Sequence, residues 1–395
     1  MPKINNYYIR PMFLPALLAN LLVFTILYYC YWLIQNDKSF YFSIVQEDNY
    51  IEWATTWAFI FASIGCVFGA VRGRIKFKDS QWFYIGLSLF CFIVAMEEIS
   101  WGQRFFGYRP PNYFLENNFQ QDFTVHNIMS KSFRIITLKI IILGYGIILP
   151  LLMLIPSLRR ILNSLKVVAP PLELIPAFAA TFYTYHVYPW EFTGEVIEFM
   201  MGLCFLFTVL FRLWDLKQTE GKSRIIGQLT TIFGAALIVI GFGFGSVNFA
   251  NHNTKNTSII QDACHLELEA IKRDFIWKSN QLNSSLIKNY SHLRLYQVVK
   301  RYEFDWMYQR QFATLTEQGL PQDRADFFID PWNMSYWLMF NKNKTTGRVR
   351  FSIYSFGPNR KRDSDHWAIK GDDIGIILLD TGLKRPYVPE NEQPF

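Results

Sequence analysis

Apolar residues fill the first 250 positions in long runs, and from 251 onward they give way to polar, charged and strand-forming positions. A helix needs about 20 apolar residues to cross ~30 Å of hydrocarbon. Seven runs meet or approach that length: 11–34, 53–71, 82–100, 135–155, 173–190, 196–214 and 225–248. The first is too long for a signal-peptide core and lacks a small-residue cleavage site, so it is expected to remain as an anchor. The seventh closes on a glycine-rich stretch, 241–246, and the polar residues 251–257 read as a hinge. Beyond it Ile260, Ala263, Cys264, Leu266, Leu268, Ile271 and Phe275 recur at helical spacing, which predicts one or two amphipathic helices, the second over 285–301. Strands are predicted at 335–340, 349–355 and 374–380, with the tetrad Asn341–Lys344 and Gly347 beyond it supplying a hairpin turn. The fold class that follows is a membrane all-α polytopic bundle of about seven spans with a C-terminal α+β domain. The chain divides into 1–250, a linking segment 251–309, and 310–395.

Composition agrees with this division. The chain is 51% hydrophobic and 18% charged, where a soluble domain carries about a quarter charged residues. Lys and Arg are retained on the cytoplasmic side of short loops. With a cytoplasmic amino terminus, Arg72, Arg74, Lys76, Arg159, Arg160, Lys166, Arg212 and Arg224 fall inside, while the outer loops hold only Lys38, Arg104, Arg109 and Lys131. An odd number of spans then exports the C-terminal domain. The formal charge of +7 is largely this cytoplasmic excess, and no nucleic-acid motif accompanies it, so no nucleic-acid partner is expected. Four of the five cysteines lie within spans, Cys264 stands alone, and no C-x-x-C occurs, which excludes a disulfide framework and a cysteine-rich zinc site.

The same topology gathers ionisable residues on the outer side. Glu47, Asp48 and Glu52 precede the second span, Glu97 and Glu98 close the third, His126 lies in the following loop, and His186, Glu191, Glu195 and Glu198 bracket the sixth. Carboxylates at a helix C-terminus face the negative end of the macrodipole, at a cost of about 0.3–1 kcal/mol. An ionisable group within a span costs about 2.5–3.5 kcal/mol on insertion scales. Glu195 and Glu198 share a helix face. With an imidazole nearby, such carboxylates suit a divalent metal such as zinc or iron, whose bound water becomes a nucleophile. The candidate catalytic set is Glu52, Glu97, Glu98, His126, Glu195 and Glu198. The plain alternative is that these acids mark the water boundary. No G-x-S-x-G and no phosphate-cradling loop occurs, and the paired broken helices of inverted-repeat transporters are missing.

Four pieces of the tail follow one another: T-E-Q-G-L from Thr316, D-P-W-N-M-S-Y-W-L from Asp330, F-S-I-Y-S-F-G-P-N from Phe351 and G-D-D-I-G from Gly371. In that order the tail resembles the C-terminal domain of the type II secretion major pseudopilin, over residues 310–380. The resemblance implies a helix followed by a small antiparallel sheet, in the periplasm of a bacterium, beneath which the spans cross the inner membrane. It also implies a calcium ion held by carboxylates and main-chain carbonyls. Asn359 stands at the family's first aspartate, Asp372 or Asp373 at the second, and Phe356 would offer its carbonyl. The chain departs from the family in that asparagine and in a longer loop whose Arg360, Lys361 and Arg362 would repel a divalent cation, with Asp363 and Asp365 to compensate. It also lacks the glutamate that pseudopilins carry early in the mature helix, which implies a permanently tethered module rather than a polymerising one. The octapeptide Glu97–Arg104, E-E-I-S-W-G-Q-R, is similar to one shared by a group of bacterial multispanning proteins, and the stretch E-D-N-Y-I-E-W-A-T is similar to alkaline ceramidases. Two functions are therefore expected. One is presentation of the calcium-binding module to envelope or secretion-system proteins. The other is an intramembrane metal-dependent hydrolase acting on a lipid-like substrate at the outer face. Membrane lipid is a partner in either case.

Overall fold

The computed structural model describes residues 13–46, 48–77, 81–216, 222–252, 258–279, 292–297, 324, 326–343, 345–365 and 367–381. Glu47, the T-E-Q-G-L segment and most of 280–323 lie outside the described residues. The chain forms two compact units. One comprises Met1–Trp101 with Met129–Phe249, the other Gly102–Ile128 with Ala250–Phe395.

The first unit is helical. In chain order it holds α1 (Phe13–Asn36), α2 (Lys38–Val45), α3 (Tyr50–Phe77) and α4 (Trp82–Glu98). The loop that follows, in the second unit, carries α5 (Gln103–Phe106) and α6 (Asn112–Asn117). The helical unit resumes with α7 (Lys131–Ile140), a π-helical stretch Ile141–Ile148, α8 (Leu149–Leu152), α9 (Pro156–Ser164), α10 (Ile175–Val187), α11 (Thr193–Leu216) and most of α12 (Lys222–His252). Among the described residues five stretches are long and apolar enough to cross a membrane: Leu14–Asn36, Tyr50–Lys76, Lys131–Leu152, Thr193–Leu216 and Arg224–Phe249. The other two expected spans form shorter helices. α4 has 17 residues and α10 has 13, or ~26 and ~20 Å at 1.5 Å per residue. α4 stops because Ser100, Trp101 and Gly102 take left-handed φ of 48, 54 and 81°. α10 starts at a proline-led turn and ends on Tyr188 at φ 50°.

α11 forms the axis of this unit, with 78% of its apolar window buried against 22% for α12. A helix apolar on every side must be enclosed on every side. α3 packs on both α11 and α4, and α10 packs on α11 and the π-helical stretch. Small residues set the close approaches. A Cβ on Gly202 would sit 3.0 Å from that of Ala58, and one on Gly146 would sit 2.0 Å from Phe178. Tyr145, carried on the π-helical stretch, stacks on Phe205 with ring centres 4.9 Å apart.

The second unit contains α13 (Ser258–Ser279) and an antiparallel sheet ordered β1 (His292–Arg294), β2 (Trp337–Lys342), β3 (Val349–Ser355) and β4 (Ile374–Asp380). A second helix over 285–301 was expected. Residues 292–294 instead extend as β1, because Leu293 pairs with Leu338 on the free edge of β2. The alternation along the strands serves two faces. Tyr336, Leu338, Phe351 and Ile353 join Cys264, Leu268 and Ile271 of α13 in one core. Trp337, Met339, Tyr354 and Phe356 form a second cluster with Met334. In the β2–β3 hairpin Asn343 Oδ1 accepts from the amides of Thr345 and Thr346, and Gly347 takes φ 69°.

The loop between α4 and α7 belongs to this unit through hydrogen bonds. Asn118 is fully buried and its amide donates to Asp122 and Thr124, while Gln103 Oε1 accepts from Phe123 N at 2.7 Å. Gln121 Nε2 donates to the Phe327 carbonyl at 3.0 Å, and its Oε1 accepts from Ser335 Oγ at 2.8 Å. Asn333 donates to the Gly107 carbonyl at 2.9 Å, and the Arg109 guanidinium lies 5.6 Å from the Phe327 ring centre.

Candidate functional site

The D-P-W-N segment closes a buried turn. Asp330 is fully buried, and its Oδ1 accepts from the amides of Trp332 at 2.9 Å and Met334 at 2.8 Å, while Oδ2 accepts from Ser355 Oγ on β3. Burial pushes this carboxyl up to about 6, although all three donors favour its charge. A second buried acid, Glu267 of α13, accepts from Tyr336 OH at 2.6 Å and from Arg324 Nη2 at 2.5 Å. There too burial outweighs the arginine, and the carboxyl is pushed up to about 7. Cys264 lies beside Tyr336 OH at 3.6 Å, and burial pushes its thiol up. These groups knit the helix to the sheet, and all of them are inaccessible.

The loop joining β3 to β4 carries the residues expected to hold calcium. Gly357 takes φ 67°, and a Cβ there would sit 1.9 Å from the Asp372 carbonyl oxygen. Asn359 Nδ2 donates to Asp363 Oδ2 at 2.8 Å, and the same oxygen accepts from the Asp372 amide at 3.0 Å. Asp373 is buried. Its Oδ2 accepts from the amides of Ser364 at 2.8 Å and Asp363 at 3.2 Å, and its Oδ1 has no hydrogen-bond partner. Burial pushes the Asp373 carboxyl up to about 7, assisted by the negative charge of Asp363. Asp365 is engaged elsewhere, bonded to Lys370 Nζ at 2.6 Å and capping the Trp367 and Ala368 amides. Asn359, Asp363 and Asp373 therefore come together, whereas the Asp372 carboxylate is exposed and contributes its backbone. Among the described residues no three carboxylate, imidazole or thiolate side chains are disposed to hold a metal. Calcium also accepts amide and main-chain oxygens, and the orphaned Asp373 Oδ1 is a buried acceptor of the kind such an ion satisfies. Asn359, Asp363 and Asp373 are the side chains that would hold such an ion.

In the helical unit α3 runs parallel to α11 and antiparallel to α4, which brings the start of α3, the end of α4 and the start of α11 to one level. Glu98 lies within electrostatic reach of Glu198, Glu195, Glu52 and Glu97. Glu97 accepts from Trp101 Nε1 at 2.8 Å, and Glu52 accepts from the Asp48 amide. The five carboxylates of the candidate catalytic set are thus neighbours. His126, its sixth member, belongs to the other unit. His186 is exposed, stacked on Phe182 and 3.1 Å from Lys139 Nζ. Glu191 faces Lys38 at 3.5 Å.

One feature has no signal in the sequence. The 102–128 loop joins the C-terminal unit through side-chain amides bonded to distant carbonyls, which leave no local signature. Of the two acids expected to compensate in the calcium loop, Asp363 meets Asn359 and Asp365 does not. Comparison with known proteins finds no family model, no curated protein and no solved structure that matches this chain.

Proposed function

We propose that this chain is a multi-pass membrane protein that holds a calcium-binding, pseudopilin-like module on the outer side of a bacterial inner membrane for envelope or secretion-related interactions. One observation carries the topological part of this reading. Residues 102–128 and the tail beyond 250 fold as one compact unit, so both occupy the same side of the membrane. The chain between them then crosses an even number of times. The stretch Lys131–Leu152, α11 and α12 supply three crossings, and α10 supplies the fourth despite its length. Short spans are tolerated where neighbouring helices enclose them, and α10 packs on α1, α11 and the π-helical stretch. With α1, α3 and α4 before the loop, the count is seven, and the positive-inside bias puts the shared side outward.

Calcium binding is supported by the unpartnered Asp373 Oδ1 and by Asn359 and Asp363 beside it. With Asp373 titrating at about 7, a cation must displace its proton. Apparent calcium affinity of the full-length protein in detergent is therefore expected to rise about tenfold between pH 6 and pH 8. Isothermal titration at the two pH values checks this, with Asp373→Asn losing both the binding and its pH dependence. Undiminished binding in Asp373→Asn, or none in the wild type at pH 8, contradicts the assignment.

A further inference from the structure

We propose that the groove between α3 and α4 binds one acyl chain of an anionic phospholipid, with the lipid headgroup held at Arg74. The groove encloses about 890 Å3, within the ~300–1,000 Å3 range of sites that take small molecules. Its walls are Val67, Ala70 and Val71 of α3 and Ile85, Leu89 and Phe92 of α4. Its floor holds Ser63 and Ser88, but each hydroxyl donates to the other residue's carbonyl, at 2.9 and 3.0 Å. The deep end therefore asks for no polar partner and accepts hydrocarbon. The other end opens between Arg74 and Gln81. Gln81 is packed over Gly73, where a Cβ would sit 2.9 Å from the Gln81 side chain.

Length and charge select the occupant. From Ser63 to Arg74 the helix rises ~16 Å, half of a ~30 Å hydrocarbon core. A groove of one-leaflet depth fits a lipid chain and is too short for a membrane-spanning helix of a second copy. Arg74 supplies positive charge at the mouth, and a basic group near an anionic surface contributes ~1 kcal/mol. The mouth lies at the opposite end of α3 from Glu52, so the lipid belongs to the inner leaflet.

The inference rests on the helical unit being embedded in a membrane, and one control separates the two. Resistance of the protein to carbonate extraction tests embedding, whatever the groove does. Native mass spectrometry of delipidated, detergent-purified full-length protein then tests the groove with dioleoyl phosphatidylglycerol and dioleoyl phosphatidylcholine as probes. The wild type is expected to bind one phosphatidylglycerol about fivefold more tightly than phosphatidylcholine, the ~1 kcal/mol expected for a single charge contact. Arg74→Gln should remove that preference and Arg74→Lys should keep it. Ala70→Trp should lower binding of both lipids, and Leu89→Trp blocks the groove from the other wall if the first variant does not fold. Equal affinity for the two lipids in the wild type, or an unchanged preference in Arg74→Gln, overturns the proposal.

Discussion

Asp330→Ala is expected to destabilise the C-terminal unit by about 3–5 kcal/mol, because it strands three buried donors at ~1–3 kcal/mol each. The Trp332 and Met334 amides both donate to Oδ1, and Ser355 Oγ donates to Oδ2. Asp330→Asn retains the oxygen that serves the two amides and turns its NH2 toward Ser355, so it should cost under ~1.5 kcal/mol. Denaturant unfolding of the detergent-solubilised protein, followed by near-ultraviolet circular dichroism, separates the two variants. Equal losses would mean that the carboxylate's charge and second oxygen, rather than its shape and the oxygen facing the two amides, hold the turn. The sign of the pH effect follows from the same groups. Asp330 at about 6 and Glu267 at about 7 lie above their ordinary carboxylate values in the folded state. The folded unit thus keeps protons that the unfolded chain releases, and stability falls as pH rises through the window from ~4 to about 7. Acidification from pH 8 to pH 5.5 should raise the melting temperature of this unit, and less so in Asp330→Asn.

Gly357→Ala should be the other severe change, with Gly347→Ala as its control. Both glycines take nearly the same left-handed φ, 67 and 69°, at a cost of about 1–2 kcal/mol for a residue bearing a Cβ. Nothing lies within 4 Å of a Cβ on Gly347, whereas one on Gly357 would meet the Asp372 carbonyl oxygen at 1.9 Å. Backbone cannot yield as a side chain does, so the β3–β4 loop must open. The loss at Gly357 is expected to exceed that at Gly347 by about 2 kcal/mol or more, a large effect by the standard of point substitutions. Comparable melting temperatures for the two variants would show that the loop has slack.

Much of the fold was legible where apolar periodicity is strong. The limits of β3 and β4 follow from alternation that one buried face enforces, and the long apolar runs mark the helices that can span a membrane. β1 was not legible, since three residues are too few to carry a period and are extended because β2 offers an edge. The π-helical stretch was equally silent: I-I-L-G-Y-G-I-I reads as any apolar helix, and the close approach of Gly146 to Phe178 comes from residues distant in the chain. At the candidate sites, charge and spacing foresaw the convergence of Glu52, Glu97, Glu98, Glu195 and Glu198, but not the assignment of His126 to the other unit. Covalent sequence order concealed that division.

The shared side of the 102–128 loop and the tail is tested most directly by labelling single cysteines in intact cells with a membrane-impermeant maleimide. The native cysteines are all free and buried, so background labelling is low. Asn117, Thr345 and Arg160 are exposed positions in the loop, in the β2–β3 hairpin and in α9. Asn117→Cys and Thr345→Cys are predicted to label from outside, and Arg160→Cys only after the inner membrane is opened. Labelling of Asn117→Cys and Thr345→Cys from opposite sides, or of both from the cytosol alone, would contradict the exported module.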